Sequence, residues 1–154
     1  MDDTHPAEPG THSLLIRVYY EDTDATGLVY HARYLHFLER ARTEMLRRIG
    51  GTHSRLLSEE GLAFAVRRLA IDFNRSARLD DLLTVETVVT SSTGAQIGLT
   101  QRVLRGEDHV AECALTLVCI DRGGRARRIP TSLRAALAGA PSSNQTEGAN
   151  GKPN

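Results

Sequence analysis

Leu14, Ile16, Val18 and Tyr20 alternate with less apolar neighbours, which predicts a first strand over residues 14–21. From Tyr30 the period lengthens. Tyr34, Leu38, Ala41, Met45 and Ile49 recur at helical spacing, with Leu35, Phe37 and Leu46 widening the stripe, so one long helix is expected over residues 30–49. Gly50-Gly51 ends it, because glycine accepts the left-handed conformation that closes helices. A short helical piece is expected over residues 54–60. After Gly61, alternating or β-branched runs predict strands over 62–73, 82–90, 97–104 and 109–120, with Gly94 and Gly106 at turns. Residues 110–120 are apolar on both faces and read as a central strand covered on both sides. Residues 122–125 (Arg-Gly-Gly-Arg) form a turn, and residues 130–137 a last short helix.

One strand, one helix of about five turns and four more strands make an α+β domain, the helix laid against the concave face of a five-stranded, mostly antiparallel sheet. A chain of 154 residues suits one such domain with a real core. Residues 1–13 are polar and acidic, and residues 139–154 are rich in Gly, Ser, Asn and Pro. Neither end buries enough apolar surface to offset its ordering entropy. The expected organisation is therefore a disordered extension over 1–13, the domain over 14–138 and a disordered tail over 139–154. With no apolar leader and no membrane-spanning run, a cytoplasmic protein without an integral membrane segment is expected.

Formal net charge is zero, which argues against nucleic acid as the main partner. Of the 19 basic residues Lys152 alone is lysine; without visible clustering this reads as composition bias rather than phosphate recognition. Cys113 and Cys119 lie on one strand, too far apart to bridge and too few for a zinc cluster. They read as buried apolar side chains, as suits a reducing compartment.

Chemistry concentrates in residues 19–31, YYEDTDATGLVYH, in the order strand, acidic turn, helix start. That order sets a carboxylate beside a helix N-terminus, whose N–H groups and positive dipole end polarise a carbonyl. It points to acyl chemistry. Asp22-Thr23-Asp24-Ala25-Thr26-Gly27 looks like half of an EF-hand loop, but Arg33 stands where the bidentate Glu is required and a strand precedes it. An Asp-x-Asp magnesium site lacks a phosphate-binding glycine loop. His31 and His36 do not share a helix face, so no metal or cofactor site is expected. There is no G-x-S-x-G elbow, and each cysteine sits mid-strand among apolar neighbours, which disfavours a serine or cysteine nucleophile. One acid is accounted for by turn chemistry; Glu21, Asp22 and Asp24 together are more than one cap needs, and on residues alone both readings stay open. Arg40 with Glu44, and Glu39 with Arg42, are spaced as solvated helix pairs.

Arg17-Val18, then residues 23–30 (TDATGLVY), then Tyr34 resemble the signature of the 4-hydroxybenzoyl-CoA thioesterase family of hotdog-fold proteins. The run VYYEDTDATGLVYHARYLHFLERARTEMLR is similar to its Tol–Pal-associated acyl-CoA thioesterase subfamily, and the likeness extends over residues 14–137, including AFAV at 63–66, ARLDD at 77–81 and TQR at 100–102. The resemblance implies a sheet wrapped around the long helix, pairing of two protomers edge to edge with active sites at their interface, and a homodimer or homotetramer. It puts the catalytic carboxylate on Asp24 and the N–H that polarises the thioester carbonyl at about His31. Leu28 departs from the family's usual Ile or Val without touching the chemistry.

On this reading Asp24 either attacks the thioester, forming a mixed anhydride, or acts as general base on water. Glu21 and Asp22 oppose its ionisation through like charge, and helix N–H groups favour it. His31 acts through its backbone, or its side chain holds substrate or water. Tyr20, Gly27 and Tyr30 are placed around the acyl group. Arg67 and Arg68, Arg75 and Arg78, and Arg125, Arg127 and Arg128 are candidates for the CoA phosphates. The rival readings are a non-catalytic module that binds acyl carrier protein or an envelope complex, and a hotdog hydratase, whose Asp–His layout Asp24 and His31 do not match.

Overall fold

The computed structural model describes residues 10–50 and 52–138. Helix α1 (His31–Arg48) carries the apolar stripe, with Tyr34, Phe37, Leu38, Ala41, Met45 and Leu46 buried. Spaced three and four apart, these side chains share one side of the helix. Tyr30 and Ile49 flank it, and Gly50 follows at φ 91°, a conformation that a Cβ disfavours. Leu35 departs from the expected stripe: it is 40% exposed, on the helix side that faces a cavity described below.

Strands β1 (Thr11–Arg17), β2 (Leu62–Phe73), β3 (Leu82–Thr93), β4 (Gln96–Arg105) and β5 (Asp108–Asp121) form one sheet in the order β1-β3-β4-β5-β2, with every pairing antiparallel. Register shifts at Val66/Arg68, Val89/Ser91 and Val103/Leu104 bend the strands, as bulges do. Phe37 and Leu38 meet Leu83, Val85, Leu99, Val103 and Cys113 in the core. Both cysteines are buried and free, as expected. Helix α2 (His53–Arg55) runs into a π turn over Leu56–Glu60, and α3 (Thr131–Ala138) buries Leu133 and Leu137. No helix among the described residues is long and apolar enough to cross a membrane.

Two expectations need correction. The first strand lies earlier than residues 14–21. Thr11, His12 and Ser13 pair with β3, so they belong to the sheet rather than to a disordered extension; the rest of that extension up to residue 9, and the 139–154 tail, lie outside the described residues. The strand ends early because Val18 leaves the ladder to exchange backbone hydrogen bonds with Asp80 and Asp81, at 3.0 and 2.9 Å. Strand β5 is interior in the sheet but is not covered on both faces. Cys113, Leu115, Leu117 and Cys119 are buried, whereas Glu112 and Ala114 are exposed. Among the described residues the one long helix packs on one side, and the other face of β5 carries the exposed Glu112 and Ala114 and the part-buried Thr116 and Val118.

His12, on edge strand β1, has neither ring nitrogen hydrogen-bonded among the described residues. Burial, reinforced by the Arg48 charge against a smaller opposing pull from Glu44, lowers its pKa to about 4 from the ordinary 6.5. The neutral ring therefore stabilises the fold fully above pH 6.5. As pH falls toward 4 the unfolded chain takes up a proton that the folded chain refuses, and that contribution is lost. His12→Phe is expected to reduce the loss of unfolding free energy between pH 7 and pH 4 by about 1–2 kcal/mol, discounted for partial exposure. Urea titrations at the two pH values measure it; equal losses in both proteins would refute the assignment.

Candidate active site

Between β1 and α1 the chain forms a closed loop. A 3-10 turn over Tyr20–Asp22 leads to a bridge between Thr23 and Val29. Inside it, Asp24 N–H donates to Leu28 O at 2.9 Å and Gly27 N–H to Asp24 O at 3.0 Å. Gly27 has φ 78°, and a Cβ there would meet nothing within 4 Å, so backbone conformation rather than space requires glycine. Val29 N–H donates to Ala77 O, and Leu28 bridges to Arg78, which anchors the loop on the segment before β3. The base is tied by Tyr30 N–H to Asp22 O at 2.9 Å.

The three acids have separate jobs. Asp22 is 2% exposed; its Oδ1 accepts Arg33 Nε at 3.0 Å and Nη2 at 2.8 Å, and its Oδ2 accepts Tyr19 N–H at 2.8 Å. Arg33 also lies 3.6 Å from Glu21. Asp24 is exposed, and its Oδ1 accepts both the N–H and the hydroxyl of Thr26. Those bonds, the hydroxyl's first, hold the Asp24 carboxyl below the usual carboxylate range. The Thr26 bonds, not the expected like-charge opposition from Glu21 and Asp22, set the direction at Asp24, and Arg33 lies 3.6 Å from Glu21 and 2.8 Å from Asp22. Arg33 was overlooked as their partner; the signal was its place in the first turn of α1, where a cation has a poor dipole environment unless a carboxylate holds it.

At the start of α1, Arg33 N–H donates back to Tyr30 O, and Tyr30 N–H is spent on Asp22 O. Among the described residues the first amide of the helix without an acceptor is that of His31. Its exposed imidazole stands 4.6 Å from the Tyr30 ring and 6.3 Å, edge to face, from Phe73. Phe73, at the end of edge strand β2, also packs 5.6 Å from Tyr34 and was missed in the sequence. Tyr34 itself is buried and accepts Ala77 N–H at 3.2 Å. Tyr20, 84% exposed, points away from the core and touches neither Asp24 nor His31 in any hydrogen bond or ring contact among the described residues.

Beside α1 an apolar cavity of about 930 Å³ runs from Ala32 and Leu35 to Met45 and Leu46, walled by strands β2, β4 and β5. It exists because α1 lies nearest β1 and β3, off the centre of the sheet. Arg42 lines it instead of forming the expected surface pair with Glu39: its Nη1 donates to Gln101 Oε1 at 3.0 Å. Glu44 pairs with Arg47 at 2.8 Å rather than with Arg40. Gln101 occupies the inward alternation Ile97, Leu99, Gln101, Val103, a polar residue at a core position, which was the legible signal for this contact. Arg67 and Arg68 are exposed at the β2 bulge, away from the loop contacts; Arg78 bridges the loop, and Arg127 is engaged by Asp121 at 2.9 Å.

Comparison with known proteins bears on this arrangement. The model of the thioesterase-like superfamily matches residues 18–137. The chain is similar to the acyl-CoA thioesterase YbgC of Haemophilus influenzae, 53% identical over 111 residues, covering 72% of this chain and 82% of that one. It is also similar to the long-chain acyl-CoA thioesterase FadM of Escherichia coli, 34% identical over 109 residues, covering 69% and 80%. Among solved structures, a probable thioesterase from Bartonella henselae superposes with TM-score 0.76 at 41% identity, covering 78% of this chain and 99% of that one.

Proposed function

The chain belongs to the thioesterase-like superfamily, and from that we propose that it hydrolyses the thioester of acyl-CoA to free acid and CoA, with Asp24 as nucleophile or general base. One observation carries the reading. The closed loop holds an ionised carboxylate, unpaired with any cation among the described residues, on the segment that leads into a helix start whose first free amide is His31. A thioester carbonyl oxygen set on that amide gains a donor for the charge it develops. Asp24 then attacks the carbonyl carbon, or takes a proton from water that does so. The carbon–sulfur bond breaks and CoA leaves as a thiolate that picks up a proton; where Asp24 was the attacking group, water then cleaves the mixed anhydride, which releases the acid and restores the carboxylate.

Tyr20, Gly27 and Tyr30 border this site in the reading, and Arg67 and Arg68 offer guanidinium forks to the CoA phosphates. A second copy of the chain completes the site, as a homodimer or a homotetramer built from it. The exposed loop and the apolar Val66 and Phe73 left open on edge strand β2 support that pairing. The two free thiols suit a cytoplasmic location. Binding of acyl carrier protein without catalysis is less favoured, because the loop is intact.

The test is thiol release from a panel of acyl-CoAs, butyryl to palmitoyl with benzoyl included, followed with a thiol-reactive dye. Turnover of at least one is expected. Release from none, with a stable acyl carrier protein complex in its place, would replace this reading with the binding one.

A further inference from the structure

We propose that Arg42, held by Gln101, divides the cavity beside α1 and sets the length of acyl chain the protein accepts. This rests on the thioesterase reading and concerns which thioester is taken. The cavity starts at Ala32, the residue after the His31 amide, and continues along the helix to Leu46, so it is the apolar space next to the proposed carbonyl position. Its strand walls run the opposite way. Arg105, at the end of β4, donates to Ser76 O, and neighbouring Ala77 donates to Tyr34, which places the end of β4 by the start of α1. Ile97 and Leu99 therefore wall the far half of the cavity, together with Met45 and Leu46.

Along α1, Arg42 falls between the cavity-lining residues Leu35 and Met45. Gln101 is fully buried and fixed on three sides: its Nε2 donates to Leu38 O at 3.0 Å and to Thr87 Oγ1 at 2.9 Å, and its Oε1 accepts Arg42. Helical side chains lean toward the helix N-terminus, and the shared Gln101 contact sets the guanidinium near the level of Leu38. That is seven residues beyond His31, or roughly 10 Å along the axis at 1.5 Å per residue. Among the described residues no carboxylate lies within 4.0 Å of Arg42, although Glu39 is near enough to support its charge. Burial lowers its pKa, so the group is already partly stripped of water. A methylene pressed against it would remove more water and return no hydrogen bond. Chains that stop short of Arg42 fit in front of it, and longer alkyl chains are rejected although apolar wall continues beyond.

The experiment measures, by calorimetry, affinity for non-hydrolysable S-alkyl-CoA thioethers from butyl to hexadecyl, beside kcat/KM for the matching acyl-CoAs. In the wild type, affinity is expected to rise with length and then fall about tenfold once the chain reaches Arg42. In Arg42→Met it should keep rising, and Arg42→Lys should restore the fall. An unchanged length profile in Arg42→Met, or no thioether binding at all, overturns the proposal. If the wild type hydrolyses no thioester, the thioesterase reading fails while the thioether profile still decides this one. If Arg42→Met does not fold, the wild type is compared on two thioethers of equal length that reach Arg42, one ending in methyl and one in carboxylate. A preference of about tenfold for the carboxylate supports the assignment, and equal affinity overturns it.

Discussion

Asp24→Asn lowers kcat/KM for the best acyl-CoA by about 10²–10⁴-fold, the range expected when a general base is lost. Asparagine keeps an Oδ1 that accepts the Thr26 N–H and hydroxyl, so the loop and its Gly27 turn stay as they are. The loss is then chemical, and thermal unfolding of the variant should match the wild type. A fall of less than tenfold would remove Asp24 from the mechanism. Because the Thr26 bonds hold the carboxyl below its ordinary range, Asp24 stays ionised as pH falls from 7 to 5. Any rate lost across that interval belongs to another group. In a single turnover in heavy-oxygen water, label on Asp24 marks an anhydride opened at the aspartyl carbon, whereas label in the acid alone is shared by direct attack of water and by an anhydride opened at the acyl carbon.

Arg33→Met is expected to destabilise the fold by about 3 kcal/mol, because it leaves Asp22 buried without its charge partner. For a domain of this size that is a fall in Tm of about 6–12 °C. The double variant Arg33→Met with Asp22→Asn should recover part of it, since the coupling between partners in contact disappears when both change. A calorimetric shift under 2 °C in the single variant would mean that water, not Arg33, satisfies Asp22. Activity should fall as well, because the same Asp22 carries, on its backbone oxygen, the Tyr30 amide at the entry to α1.

Periodicity read the framework well. Helix α1 lies within one residue of its expected ends, and β2 has the expected bounds. These elements bury one face continuously, so their patterns are set by burial alone. The pattern failed where a different force decides. Tyr20 continues the alternation of β1, yet backbone bonds from Val18 to Asp80 and Asp81 take the chain out of the sheet first. Hydrophobicity on both faces of β5 suggested two covers, but Ala114, Thr116 and Val118 are small enough to stand on an open face. The acids were legible as a cluster, not as separate roles. The Asp22–Arg33 pair closes over eleven residues through a loop, beyond the reach of any helix spacing rule. Arg42 looked like half of a surface pair because helix spacing sees neighbours on α1 and not Gln101 across the interior.

The bond from the Tyr30 amide to the Asp22 carbonyl makes the loop a fixed-length spacer. It uses up one helix amide, so the donor offered outward is determined by counting from Asp22 and not by which side chain follows. Many side chains between Thr23 and Val29 can change without altering that count, provided Asp24 and the glycine turn remain. Adding or deleting one residue there would present a different amide, or none, while the composition looked almost untouched. For sequences related to this one, gap placement in this interval says more about a working site than percentage identity does.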